Sequence, residues 1–168
     1  MTRIGVGLVG FGLSGRVFHA PFVEATEGLA LRAVVSSDPA KVHDRLQGMS
    51  VVPSVEALLA EPGIELVIVA SPDDSHADHA VAALDAGKHV LVEKPAYLRM
   101  EDYERVRTAR DRAGRVVLVG ENDHYKPLAV CLRRLLREGV IGEMVFAHFT
   151  TLVKRFKGAD DWRNDETM

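Results

Sequence analysis

The chain has 168 residues, of which 47% are hydrophobic and 27% are charged, and its net charge at pH 7 is −3. This length allows one buried core and a little more than one domain. The slightly acidic balance gives no electrostatic case for binding nucleic acid or an anionic membrane surface. The single cysteine, Cys131, excludes an internal disulfide, and its apolar neighbours predict a buried thiol. The sequence contains no signal peptide or membrane-spanning run, so we expect a cytoplasmic protein.

The first predicted element is a strand, Ile4–Val9, whose continuous apolar run is typical of a strand buried on both faces. It leads into a G-x-G-x-x-G turn at residues 10–15, within which a helix can begin. A strand, this turn and a helix in succession form the fingerprint of a dinucleotide-binding site. Gly10 permits the tight turn, Gly12 lets a pyrophosphate approach the backbone, and Gly15 lets the helix pack closely on the strand. An ordinary tight turn is the alternative interpretation.

Strand-like and helix-like segments then alternate regularly. Further strands are predicted at residues 29–36, 51–52, 66–70, 89–92 and 116–119, and helices after residue 38 and at residues 55–60, 76–86 and 99–113. Asp38, Ser54 and Ser75 are the predicted N-caps. The order predicts an α/β fold with a doubly wound parallel sheet and right-handed crossovers.

Polar motifs follow the strands at one edge of this sheet. They lie at residues 10–15, 36–38, 71–76, 93–95 and 121–125. Ligands of parallel α/β sheets bind beyond the carboxyl ends of the strands, so we expect the functional site at this edge.

The pattern changes after Pro127. An amphipathic helix is predicted at residues 128–138 and a long strand at residues 143–154, and residues 158–168 are polar without periodicity. We therefore predict two domains, a dinucleotide-binding domain at residues 1–123 and the start of an incomplete second α/β domain at residues 124–168. Both faces of the last strand carry apolar residues, which predicts a homo-oligomer formed through it.

The end of the second strand bears on cofactor preference. NAD-binding folds carry an acidic residue there that binds the ribose, whereas this chain has Ser36 and Ser37, with Asp38 two places on. Without the acid the main repulsion against a 2′-phosphate is gone, and serine hydroxyls can donate to that phosphate. Lys41 is near, but no arginine is adjacent. These residues favour NADP slightly and leave NAD open.

Two histidines, His76 and His79, have the i, i+3 spacing of paired metal ligands on a helix. No third ligand is evident in the sequence, so we predict no metal site.

Five segments carry a family pattern: GFGLSGRVFHAPF, SPDDSH, AGKHVLVEKP, VGENDHYKP and EGVIGE. In this order and spacing they resemble the Gfo/Idh/MocA oxidoreductases, the glucose–fructose oxidoreductase and inositol dehydrogenase family. The resemblance implies an N-terminal Rossmann domain that binds a nicotinamide dinucleotide. It also implies a second α/β domain with an open, mostly antiparallel sheet that carries substrate residues and usually the oligomer interface.

The resemblance also implies roles for individual residues. The pyrophosphate would be held by Gly10, Phe11, Gly12, Leu13, Ser14 and Gly15, and the nicotinamide ribose would be lined by Ser71, Pro72, His76 and Glu93. Asn122 would face the cofactor, and Lys94 of the EKP segment would lie beside the nicotinamide and the reacting carbinol. The resemblance further suggests a cis peptide bond before Pro95.

The residue type and position of Lys94 also suit hydride transfer, independently of the family resemblance. Hydride transfer needs a group that removes a proton from the substrate hydroxyl, and a partly desolvated lysine near a cationic ring can do so. An ion pair with Glu93 is the alternative interpretation. The position of Lys94 at a strand end, before a rigid proline, favours the catalytic role.

Two functions follow as hypotheses. The first is an NAD(P)-dependent oxidoreductase that transfers a hydride between the cofactor and a sugar, cyclitol or related polyol. The family's second domain carries a glycine-rich helix start followed by an Asp and a His, and the chain reaches DWRNDETM before that motif would be expected. We therefore expect the cofactor-binding half with an incomplete catalytic centre. The alternative is a stand-alone dinucleotide-binding or sensor module without catalytic activity.

Overall fold

Six parallel strands form the centre of the first part of the chain. The structure, a computed structural model, describes residues 3–150. The strands are β1 (Ile4–Val9), β2 (Leu29–Val35), β3 (Ser50–Val52), β4 (Leu66–Val69), β5 (His89–Val92) and β6 (Val117–Val119). Their order in the sheet is β3-β2-β1-β4-β5-β6, and all neighbouring pairs are parallel. The predicted parallel α/β sheet is confirmed, and its order is that of the doubly wound dinucleotide-binding fold.

Helices connect the strands. They are a π-helical turn (Gly15–His19) that continues into α1 (Ala20–Ala25), then α2 (Pro39–Arg45), α3 (Val55–Ala60), α4 (His76–Asp85) and α5 (Met100–Ala113). The predicted caps Asp38 and Ser54 are confirmed, since each side chain accepts a hydrogen bond from a backbone N–H three residues on. Ser75 precedes α4 but does not cap it, because its hydroxyl donates to the carbonyl of Pro72 at 2.7 Å instead.

Both faces of the sheet are covered, and β1 shows how. Val6 and Leu8 point to one face and pack with residues of α1 and α2. Val9 points to the other face and packs with residues of α3, α4 and α5. Gly7 shares that second face, where a Cβ atom would come within 2.6 Å of Leu58, so α3 lies close to the strand. The alternation along β1 therefore places one helix layer on each side of the sheet.

The chain divides into two compact units, of which the first ends at Asn122 and the second begins at Asp123. The second unit contains α6 (Pro127–Arg137), which confirms the predicted helix. No residue of α6 is buried, and Cys131 is exposed. The predicted buried thiol is therefore wrong: amphipathic periodicity identified the helix, but among the described residues no apolar layer encloses that face.

The strand predicted at residues 143–154 is not formed in its described part, residues 143–150. A strand needs a neighbour for its backbone hydrogen bonds, and residues 143–150 pair with no other described segment. Val145 and Phe149 are 94% and 70% exposed there. Residues 151–154 and the polar stretch at 158–168 lie outside the described residues.

Candidate cofactor-binding site

The site is built at the carboxyl ends of three adjacent strands of the first unit. β1 ends in the glycine turn, β4 in Ser71, and β5 in Glu93 and Lys94. Because β1 lies between β2 and β4 in the sheet, the strand order reverses at this point. Parallel α/β sheets bind ligands in the crevice at such a reversal.

The three glycines of the turn have different surroundings. Gly10 has a φ of +95°, and a Cβ there would lie 2.5 Å from the carbonyl oxygen of Ala70. A Cβ on Gly15 would overlap the carbonyl oxygen of Gly10, so the helix start packs directly on the turn. Gly12 differs, because no atom lies within 4 Å of the Cβ position. The fold requires Gly10 and Gly15, whereas Gly12 leaves bare backbone open beside the helix start, as a dinucleotide pyrophosphate needs.

The remaining turn residues point in different directions. Phe11 is 4% exposed and packs in the core beneath the turn, so only its backbone faces the loop surface. Leu13 is exposed. The Ser14 hydroxyl is buried and makes no hydrogen bond with good geometry among the described residues. Because this hydroxyl also helps to lower the pKa of the Glu93 carboxylate, its position gives no independent evidence for a ligand at this turn.

Glu93 is buried at the end of β5, and both of its carboxylate oxygens are engaged. Oε1 lies 2.6 Å from Nε2 of His19, which is the last residue of the π-helical turn. Oε2 accepts a hydrogen bond from the backbone N–H of Lys94 at 3.1 Å. The carboxylate predicted to line the ribose is therefore turned into the protein, where it links the first helix to the lysine segment.

The surroundings of Glu93 keep it charged. Burial disfavours the carboxylate and alone would raise its pKa, but Ser14, His19 and the Lys94 N–H outweigh burial, and the pKa of Glu93 is lowered. Ser14 contributes because its hydroxyl donates toward the carboxylate. The result is a buried carboxylate that is ionised at neutral pH.

Lys94 follows directly, and its side chain is exposed. Its ammonium forms no ion pair with the described residues, and Glu93 pairs with His19 instead, so the surface ion pair considered from the sequence is not formed. The Lys94–Pro95 peptide bond is cis, as expected. Lys94 thus presents a cation at the carboxyl edge that the surrounding protein leaves available.

The loop after β4 is held by two histidines of α4. His76 is 1% exposed, with Nε2 2.9 Å from the carbonyl of Ser71 and Nδ1 2.9 Å from the carbonyl of Pro95. The Nδ1 atom of His79 lies 2.9 Å from the Ser71 hydroxyl, and the pKa of His79 is lowered because burial disfavours its charged form more than the nearby Asp78 favours it. His76, which the resemblance predicts to line the ribose, lies beneath the surface and joins two loops.

The other predicted contacts are at the surface. The Ser36 hydroxyl bonds to the backbone of Asp38, whose carboxylate caps α2. Ser37, Pro72 and Asn122 are exposed. In residues 3–150, no three potential metal ligands cluster. No helix in the same range is long and apolar enough to cross a membrane.

Sequence reasoning missed His19. The residue stands in the quoted segment GRVFHAPF, but nothing there distinguishes it from a helix-surface histidine. Its position one turn after Gly15, on a helix that starts at the carboxyl edge, is the signal that could have indicated it.

Comparison with known proteins identifies the family of the chain. The model of the Gfo/Idh/MocA oxidoreductase family, with its NAD-binding Rossmann fold, matches residues 4–121. The chain belongs to this family. It is 36% identical over 163 residues to the uncharacterized oxidoreductase YdgJ of Escherichia coli. It is 33% identical over 144 residues to the scyllo-inositol 2-dehydrogenase (NADP(+)) IolW of Bacillus subtilis.

A solved structure shows the same fold. GenD2 from gentamicin A biosynthesis, crystallised in complex with NAD, superposes with a TM-score of 0.77 at 32% identity. The alignment covers 83% of this chain and 40% of GenD2. Similarly, the two curated relatives are matched over 96% and 86% of this chain but only 46% and 40% of their own lengths. The chain therefore spans less than half the length of the relatives it matches.

Proposed function

We propose that the chain binds a nicotinamide dinucleotide at the carboxyl edge of its sheet and forms the cofactor-binding part of a sugar, cyclitol or polyol oxidoreductase. The observation that carries the proposal is the open backbone at Gly12, flanked by two glycines that the fold itself requires. The relative IolW is named as a scyllo-inositol 2-dehydrogenase that uses NADP(+), which supports the substrate class. YdgJ is named as an oxidoreductase and IolW as a dehydrogenase, and neither name supports a sensor module.

The glycine turn and Lys94 would have different roles in this function. The backbone of Gly12 and the start of the helix at Gly15 would hold the pyrophosphate. Lys94 would sit beside the nicotinamide and hold or accept the proton of the substrate hydroxyl at Nζ. The cofactor, when bound, supplies the hydride acceptor. Substrate recognition and the rest of the catalytic centre would come from outside residues 3–150.

We further propose a modest preference for NADP over NAD. The acidic side chain that binds the adenine ribose in NAD-specific sites would stand near Ser36 and Ser37. Asp38 is the nearest acid, and its carboxylate is engaged by the backbone N–H of Lys41 as a helix cap. An exposed Ser37 can donate to a 2′-phosphate without charge repulsion.

Calorimetric titration tests both proposals. The full chain is titrated separately with NADPH, NADH and ADP-ribose, which lacks the nicotinamide. We expect both dinucleotides to bind, NADPH more tightly, and Gly12→Val to abolish binding of all three. Gly28→Val is the matched control, because a Cβ on Gly28 also meets no atom within 4 Å but stands between α1 and β2, at the opposite edge. Absence of heat with every ligand would refute the binding proposal.

A further inference from the structure

We propose that His19 and His76 are positioning residues that fix the backbone of Lys94 from both sides. The inference rests on the proposed function, since it concerns how the lysine is placed toward the nicotinamide. Lys94 stands between Glu93 and Pro95, and each of these neighbours contacts an imidazole: that of the partly buried His19 or that of the buried His76. The two imidazoles come from different helical segments, so the lysine segment is tied to both.

The first tie runs through Glu93. His19 and Glu93 have side chains that are 11% and 9% exposed, and their contact distance is 2.6 Å. A carboxylate only accepts, so Nε2 of His19 carries the donated proton. The other carboxylate oxygen accepts from the N–H of Lys94. The path therefore runs from the helix that begins at the glycine turn, through one carboxylate, to the backbone of Lys94.

The second tie runs through Pro95. Nδ1 of His76 faces the Pro95 carbonyl, and Nε2 faces the Ser71 carbonyl, each at 2.9 Å. Carbonyl oxygens only accept, so a ring N–H donates to at least one of them, and the ring fills the space between the two loops. This tie fixes the residue after Lys94 relative to the loop after β4.

The two ties matter because the Lys94 side chain has no anchor of its own. Its ammonium is exposed and forms no ion pair with residues 3–150, so its reach is set by where the backbone holds Cα. Displacing a reacting group by about 1 Å costs roughly a hundredfold in rate. The contacts of His19 and His76 with the residues on either side of Lys94 are accounted for by this need for a fixed starting point.

Amide hydrogen exchange tests the first tie without any cofactor. The Lys94 N–H is itself the donor to Glu93, so we expect its exchange in ¹⁵N-labelled protein to be about tenfold faster in His19→Leu. His19→Gln retains a donor and should restore most of the protection. The matched control is His89→Leu, at the opposite end of β5, where the histidine also bonds to a backbone group. Unchanged exchange of the Lys94 amide in folded His19→Leu would overturn the proposal.

A second measurement separates positioning from a merely structural role. In protein with ¹³C-dimethylated lysines, the Lys94 resonance, assigned with Lys94→Arg, should shift in His19→Leu and in His76→Gln but not in His89→Leu. The affinity for NADPH should fall about tenfold in the two positioning variants, while the affinity for ADP-ribose changes less than about twofold. Equal losses for both ligands would overturn the positioning role. His76→Gln is chosen because glutamine keeps polar contact where leucine could prevent folding.

The outcomes also distinguish the two proposals. If the wild-type chain binds no dinucleotide, the proposed function fails, while the exchange and lysine measurements still decide whether His19 and His76 fix Lys94. If dinucleotides bind normally and neither the amide nor the lysine resonance responds to the histidine variants, only the positioning inference fails.

Discussion

Gly12 and Gly15 stand three residues apart in one motif, yet the structure predicts opposite consequences for adding a methyl group to each. At Gly12 the added Cβ meets no atom within 4 Å, and its φ lies outside the left-handed region. At Gly15 the added Cβ would overlap the carbonyl oxygen of Gly10 and lie 3.2 Å from the carbonyl carbon. Both neighbours are backbone atoms, so they cannot move aside as a side chain would.

The magnitudes follow from these surroundings. Gly12→Ala should leave the free energy of unfolding within about 0.5 kcal/mol of wild type, because it creates no clash and slightly restricts the unfolded chain. With the pyrophosphate bound as proposed, the added methyl group would occupy the space through which it approaches, so NADPH affinity should fall at least about tenfold, or about 1.4 kcal/mol. Gly15→Ala should lower the free energy of unfolding by roughly 1–3 kcal/mol, the cost of overpacking.

Urea unfolding followed by circular dichroism gives the stabilities, and calorimetric titration with NADPH gives the affinities. Gly28→Ala is the control, since its Cβ also enters open space but lies far along the chain from the turn. It should change neither quantity. The reasoning is refuted if Gly12→Ala retains wild-type affinity, or if it destabilises the protein as much as Gly15→Ala does.

Three further predictions concern charge and exposed apolar surface. Because the pKa of Glu93 is lowered in the folded protein, its ionised form stabilises the fold above the ordinary value of 4.5 and this contribution is lost as pH falls through the lowered value. The difference in unfolding free energy between wild type and Glu93→Gln should therefore shrink below about pH 4.5; a constant difference down to pH 3 would count against the assigned charge. Ser37→Asp should lower the ratio of NADPH to NADH affinity about tenfold, because the carboxylate repels a 2′-phosphate and accepts from ribose hydroxyls; an unchanged ratio would place the 2′-phosphate elsewhere. Phe146, which is 82% exposed, should drive self-association, so Phe146→Asp should reduce oligomer in sedimentation velocity, whereas a monomeric wild type at all concentrations would contradict this.

The fold of the first unit was predictable because its signals are local and agree with one another. The apolar run of β4 and the caps at Asp38 and Ser54 each identify an element within a few residues. The alternation of strand and helix then leaves few possible topologies. The prediction of a strand at residues 143–154 was wrong in its described part, residues 143–150, for a related reason. Alternation of apolar residues predicts a strand only where another strand is present to pair with it.

The location of the candidate site was predictable from the sequence, but the contacts of its side chains were not. Sequence position puts every polar residue after a parallel strand at the same edge, and the structure agrees for Ser71, Glu93 and Lys94. Whether such a residue faces outward depends on long-range contacts. Glu93 meets His19 across 74 positions, and His76 meets Pro95 across 19, so no local pattern could reveal either pairing.

The carboxyl edge of the sheet therefore carries two kinds of polar residue, inward-facing and exposed, with different roles. Glu93 bonds to His19 and to the N–H of Lys94, and His76 joins the loops at Ser71 and Pro95. Lys94 and Ser37 remain exposed. A binding edge built from loops needs residues of the first kind to fix the backbone, because a ligand contact is only as well placed as the backbone that carries it. We therefore expect substitutions of inward-facing residues such as Glu93 and His76 to change cofactor affinity by displacing exposed residues such as Lys94. The lysine resonance and the NADPH to ADP-ribose comparison measure that indirect effect.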